Sequence, residues 1–100
     1  MELINKIKRG DKKAIVQSLS DPSAFLRVNG IVFAVRNNYN DPMIIRIMKD
    51  LIKDDVCLFG TNCSYRVSDF AQAALDLLGV SKYFGDRQEI KMLITERMVF

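Results

Sequence analysis

The chain has 100 residues, of which 49% are apolar and 27% charged, enough for one domain with a modest core and too apolar for a disordered polymer. No run approaches the ~20 apolar residues that a membrane helix needs, and the opening MELINKIKRG lacks a continuous apolar stretch, so neither a membrane span nor a signal peptide is expected. The net charge of +3 is uneven: residues 1–53 carry ten Lys/Arg against five Asp/Glu, and residues 54–100 carry five against seven.

Taken in order, Leu3, Ile4 and Ile7 sit at helical spacing, and Gly10 is a stop signal, so a short first helix is expected. Asp11 can cap a second helix whose apolar stripe is Ala14, Ile15, Val16 and Leu19. Ser20-Asp21-Pro22 reads as a break and a restart, with Asp21 accepting orphan amides and Pro22 at the first helical position. The third helix, from about Pro22 to Asn37, carries Phe25, Leu26, Val28, Ile31, Val32, Phe33 and Val35. It is apolar nearly all round, as a helix covered on several sides would be. Residues 37–40 are a turn, and Asp41-Pro42 repeats the cap-plus-proline device. A fourth helix follows to about Lys53, burying Ile44, Ile45, Ile47, Met48, Leu51 and Ile52.

Residues 54–64 centre on Gly60-Thr61-Asn62 and are expected to be a loop. The fifth helix places Val67, Phe70, Ala71, Ala74, Leu75 and Leu78 on one stripe and ends at Gly79 in a left-handed stop. Asp86 with Glu89 makes a capping-box-like start for a last helix facing the core through Ile90, Leu93, Ile94 and Met98. No stretch alternates with period two, so the chain is expected to be all-α.

A shift of 39 residues lays Leu26-Arg27-Val28 onto Tyr65-Arg66-Val67, Ile31 onto Phe70, Ala34 onto Ala73 and Val35 onto Ala74. A period near 40 with helical spacing is the signature of stacked helix pairs. The segment AIVQSLSDPSAFLRVNGIVFAV resembles the helix–loop–helix junction of HEAT repeats, with IMKDLIKDD and SYRVSDFAQAALDLLG as a second copy. The resemblance covers about residues 11–98. It implies a short α-α superhelix of five to six helices, or two and a half to three repeats, in a single domain spanning 1–100. Against the Asp21–Arg27 junction, the Asp54–Arg66 junction is six residues longer.

The resemblance also implies that an Arg at this position braces the loop, Arg27 through Asp21 and Arg66 through Asp54 or Asp55. It implies that the second helix of each pair lines a concave face, which Lys12, Lys13, Arg46, Lys49, Lys53 and Lys91 are expected to share. Such a basic face could take an acidic protein segment or phosphates, though a solvated helix face carries lysines too, and Asp50 dilutes the stripe. No aromatic interleaves these residues, so a stacking platform for single strands is not expected. Cys57 and Cys63 are read as free thiols in a reducing compartment, packing with Leu58 and Phe59 to pin the long loop; a disulfide across the turn is the alternative. Two cysteines without any His do not make a zinc site. The long loop, with Phe59, is expected to border the binding surface.

The catalytic inventory is thin: there is no His, no Gly-rich phosphate loop, and no Ser or Cys beside a base. Asp69 and Asp76 share a helical face but are read as hydrated carboxylates. The expected function is therefore a cytoplasmic HEAT-like protein–protein interaction module or adaptor, with no enzyme activity, cofactor or metal. A bacterial regulatory or toxin-neutralising partner is one subtype by analogy. The alternative is a nucleic-acid-binding helical module. Monomer or weak self-association through the apolar Met98-Val99-Phe100 end is expected, with no membrane partner.

Overall fold

The computed structural model describes residues 2–58, 65–82 and 88–97. These residues form six α-helices: α1 (Glu2–Lys8), α2 (Lys12–Leu19), α3 (Ala24–Arg36), α4 (Pro42–Leu51), α5 (Val67–Leu77) and α6 (Gln88–Met92). The last runs on as a π-helical turn, Leu93–Arg97. Among the described residues there is no strand, only an isolated antiparallel bridge between Cys57 and Arg66, so the protein is all-α. No described helix is long and apolar enough to cross a membrane.

The helix boundaries have local causes. Gly10 at φ 81° ends α1 and Gly79 at φ 77° ends α5, both in the left-handed region open to glycine. Asp11 caps α2 by accepting from the Ala14 N–H. At α3 the expectation fails: the cap is Ser23, whose hydroxyl accepts from the Leu26 N–H at 3.4 Å, and the helix begins at Ala24. The Asp21 carboxylate is instead engaged by the Ser23 N–H at 2.9 Å, a turn that precedes the helix. At α4 Pro42 does occupy the first turn, but the Asp41 side chain makes no capping bond.

Packing builds two layers. α2 packs along α3, and α4 along α5; between the pairs, α3 lies against α5 and α2 against α4. Lys12 at the start of α2 pairs with Asp41 at the start of α4, while Leu19 and Leu51 at their ends line one groove, so the two helices run side by side in the same direction. α3 is central, covered by α1, α2, α5 and the π-helical turn. Its Leu26, Val28, Ile31 and Val32 are buried, Phe33 and Val35 half-buried, and Phe25 exposed. Buried Ala71, Ala73 and Ala74 let α5 approach both α3 and α4. The expected stripes hold with trimming: Val16, Ile45, Ile47, Leu78 and Leu93 are half-buried, and Ile52, expected in the core, is 38% exposed. Met98 and Asp86 lie outside the described residues. The final helix packs on α5 and its π-helical turn on α3, where Arg36 Nε donates to the Ile94 carbonyl at 2.8 Å.

Candidate docking surface

The two pairs are joined at their loops by Arg27. Its Nη1 donates to the carbonyls of Asp21 (2.7 Å) and Pro22 (2.9 Å), and its Nε lies 2.9 Å from Asp54 Oδ2. The Nε contact is a close ion pair but off line for a hydrogen bond. The expected Arg27–Asp21 carboxylate pair is thus corrected. Arg27 takes the backbone of its own junction and the carboxylate of the next one. Asp54 is turned toward Arg27 because its Oδ1 accepts from the Val56 N–H and its carbonyl from the Ser68 N–H. On the Arg66 side, the Arg66 N–H donates to Asp69 Oδ2 at 3.1 Å. Asp69 therefore serves the first turn of α5, and Asp76 pairs with Lys91 at 2.6 Å; neither is simply hydrated.

The two described ends of the Asp54–Arg66 junction pair antiparallel, with Leu58 N–H donating to the Tyr65 carbonyl (2.8 Å) and Val67 N–H to the Val56 carbonyl (3.1 Å). Cys57 sits in this ladder and is disulfide-bonded, which corrects the expectation of free thiols. The only other cysteine in the sequence is Cys63; it and Phe59 lie outside the described residues, as does most of the loop expected to border the binding surface. The inference from free thiols to a reducing compartment loses its premise.

Of the expected basic residues, Lys12 is committed elsewhere: its Nζ lies 2.8 Å from Asp41 Oδ2 and 4.8 Å from the Tyr39 ring centre. The Lys12 hydrogen bond holds the Asp41 carboxyl below its ordinary 3.8; partial desolvation opposes this and the Lys12 charge adds to it. Because the folded-state value is depressed, the contribution to stability is present above the ordinary carboxylate range. It is lost as pH falls through the lower folded value. Asp41→Asn should therefore lower the urea midpoint at neutral pH, and the gap to the unsubstituted protein should close as pH falls below the ordinary carboxylate range; a gap independent of pH would remove the ion pair as its cause.

Lys91 belongs to the α6–α5 contact through Asp76. Lys13 is exposed on α2, and Arg46, Lys49 and Lys53 are exposed on or just beyond α4. None of these four forms an ion pair among the described residues. All but Lys91 thus belong to the first helices of the two pairs, not to the second helices that the concave-face expectation requires; α3 and α5 are largely covered.

Three concavities border α4. An open groove of about 610 Å³ surrounds Arg27 and Asp54 and is lined also by Asp21, Asp50 and Lys53, so acidic groups outnumber basic ones there. A second of about 500 Å³ lies on the outer face of α4, between Pro42, Ile45, Arg46, Lys49 and Asp50. A third of about 440 Å³ is the more enclosed, lined by Lys49, Ile52, Gln72, Leu75, Ser81 and Lys82. Sequence reading missed this last site because its residues come from α4, α5 and the turn after Gly79. The detectable signal was Ile52, an isoleucine at the very end of an amphipathic helix.

The described residues define an all-α protein of closely packed helices. No family model, no curated protein and no solved structure matches the chain.

Proposed function

We propose that this chain is a short HEAT-like helical-repeat module that binds a protein partner on the outer face of α4. The observation that carries the reading is the parallel packing of α2 beside α4, together with the packing of α3 against α5. Such stacking repeats one supersecondary unit and presents rows of first helices as an extended surface. The Arg27–Asp54 contact between successive junctions supports the same reading, since it ties one unit to the next. On the presented surface Met43 is 62% exposed beside Arg46 and Lys49, an apolar–basic mixture suited to docking an acidic protein surface. The reading assigns no catalytic step and no cofactor to the chain, and it places the protein in the cytoplasm only by analogy with such adaptors. Nucleic-acid binding is less well supported, because Lys12 and Lys91 are spent on internal pairs and Asp50 interrupts the remaining cations.

Affinity capture from the native cell, compared between the protein and an Arg46→Glu/Lys49→Glu variant, tests this. A partner retained by the first and reduced about tenfold or more with the second is expected. A partner retained equally by both would remove α4 as the docking face. Nucleic acid recovered in place of protein, with affinity collapsing between about 50 and 200 mM salt, would establish the other reading.

A further inference from the structure

The outer groove and the enclosed pocket are not separate features, because Lys49 lines both. Together they follow α4 from Pro42 to Ile52, about 15 Å at the α-helical rise, the length of roughly five residues of extended chain. The groove end offers Arg46 and Lys49, with Asp50 beside them; the pocket end offers an apolar floor of Ile52 and Leu75, with Gln72 and Ser81 as hydrogen-bonding groups and Lys49 as a cation. Among the described residues the pocket has no acidic lining residue, in contrast to the groove beside Arg27. A volume of about 440 Å³ is ample for one large side chain, and pockets of this kind place a few polar groups around an apolar base.

We infer that this track is a site for an extended acidic protein segment that seats one bulky apolar side chain between Ile52 and Leu75 and sets flanking carboxylates against Lys49 and Arg46. The inference rests on the protein-docking reading above and names the chemistry of its partner. A small amphiphilic acid would fill the pocket and leave the groove empty; the continuity through Lys49 favours a chain. Lys49 is the pivot, since it is exposed, forms no ion pair among the described residues, and belongs to both halves.

The probe is a labelled Glu-Glu-Phe-Glu-Glu peptide, with two counterparts in which Phe is replaced by Ala or every Glu by Lys. Titrated into the full chain and followed by amide chemical shifts, it should perturb Lys49, Ile52, Gln72, Leu75 and Ser81. Lys49→Glu and Ile52→Ser, both at exposed positions, should each weaken binding by about tenfold while leaving the helical spectrum unchanged. The Ala peptide should bind more weakly, and the Lys peptide should not bind. Shifts that fall elsewhere, or equal shifts with the Lys peptide, overturn the assignment. So does a blank titration up to about millimolar peptide, the range expected for a single short segment. Octanoate perturbing the pocket where the peptide does not would reassign the site to a small acid. Where cell capture yields an α4-dependent protein partner but the peptide fails, the docking reading stands and this track does not; where both fail, both fall.

Discussion

Gly30→Ala should destabilise the protein by about 1–3 kcal/mol, in the range of core overpacking, even though the same exchange in an open helix interior gains about 1 kcal/mol. Gly30 sits in the middle of α3, where α2 crosses it. A Cβ there would lie 2.1 Å from Ser18 Oγ, 3.2 Å from the Ile15 carbonyl and 3.2 Å from Leu19 Cδ2. The serine cannot swing away cheaply, because it is fully buried and its hydroxyl donates to the Ile15 carbonyl at 2.7 Å. The backbone carbonyl beside it is fixed by α2 itself. The two helices would have to separate, and with them the buried contacts of Ile15 and Leu19. Ser18→Ala should by itself cost at most about 1 kcal/mol, because its bond is a local one back to its own helix. Combined with Gly30→Ala it should recover most of the loss, since the contact at 2.1 Å disappears and the two at 3.2 Å need only a few tenths of an ångström. Urea melts of the two single variants and the double variant decide it. If the two effects simply add, the close approach is not what Gly30 is for.

How far this architecture was legible depends on whether a residue's partner lies nearby in the chain. Gly10 and Gly79 announced their helix ends correctly because a left-handed residue is a local demand. The α5 stripe was readable because Val67, Phe70, Ala71, Ala74 and Leu75 need only helical periodicity. Asp21-Pro22 and Asp41-Pro42 look alike as dipeptides and behave differently. The first has its carbonyls drawn outward by Arg27 and leaves the capping to Ser23, whereas the second starts α4 with its carboxylate given to Lys12. That difference is set across 6 and 29 residues respectively, beyond any local pattern. The basic stripe suffered likewise: its spacing showed that Arg46 and Lys49 share a face, but not that Lys12 and Lys91 each have an acid waiting on another element. Gly30 carried a usable signal, a glycine inside an otherwise apolar helix, whose meaning needed Ser18 opposite it. The pocket behind Lys49 needed α5 and the turn beyond it, and no periodicity reports that.

Asp54→Ala should lower stability by about 2–4 kcal/mol, near the range for breaking a buried pair by removing one partner. The side chains of Arg27 and Asp54 are only 11% and 16% exposed, so screening by solvent is limited and the guanidinium left behind can rehydrate only from the open groove that it lines. Its bonds to the Asp21 and Pro22 carbonyls would remain, but they satisfy hydrogen bonding without neutralising charge. Asp54→Asn separates the two roles of this side chain: an amide oxygen can still accept from the Val56 N–H as Oδ1 does, while the charge opposite Arg27 is gone. If the charge matters most, Asn should be nearly as damaging as Ala; if the turn matters most, Asn should be close to neutral. Arg27→Met keeps much of the aliphatic stem, removes the buried cation, and strands the Asp54 carboxylate instead. The Arg27→Met/Asp54→Asn combination should then be more stable than the sum of the two single losses predicts, with a coupling of about 1–3 kcal/mol between residues in direct contact. Chemical denaturation of the four proteins measures that coupling directly. Because Arg27 and Asp54 belong to successive helix pairs, the pair acts on the stacking of α2–α3 upon α4–α5 and not on either pair alone. Amide exchange should accordingly rise along the α3–α5 contact in Asp54→Asn, while the α2–α3 contact around Gly30 keeps its protection. Equal loss of protection at both contacts would mean that the ion pair supports the whole core and not the joint between the pairs.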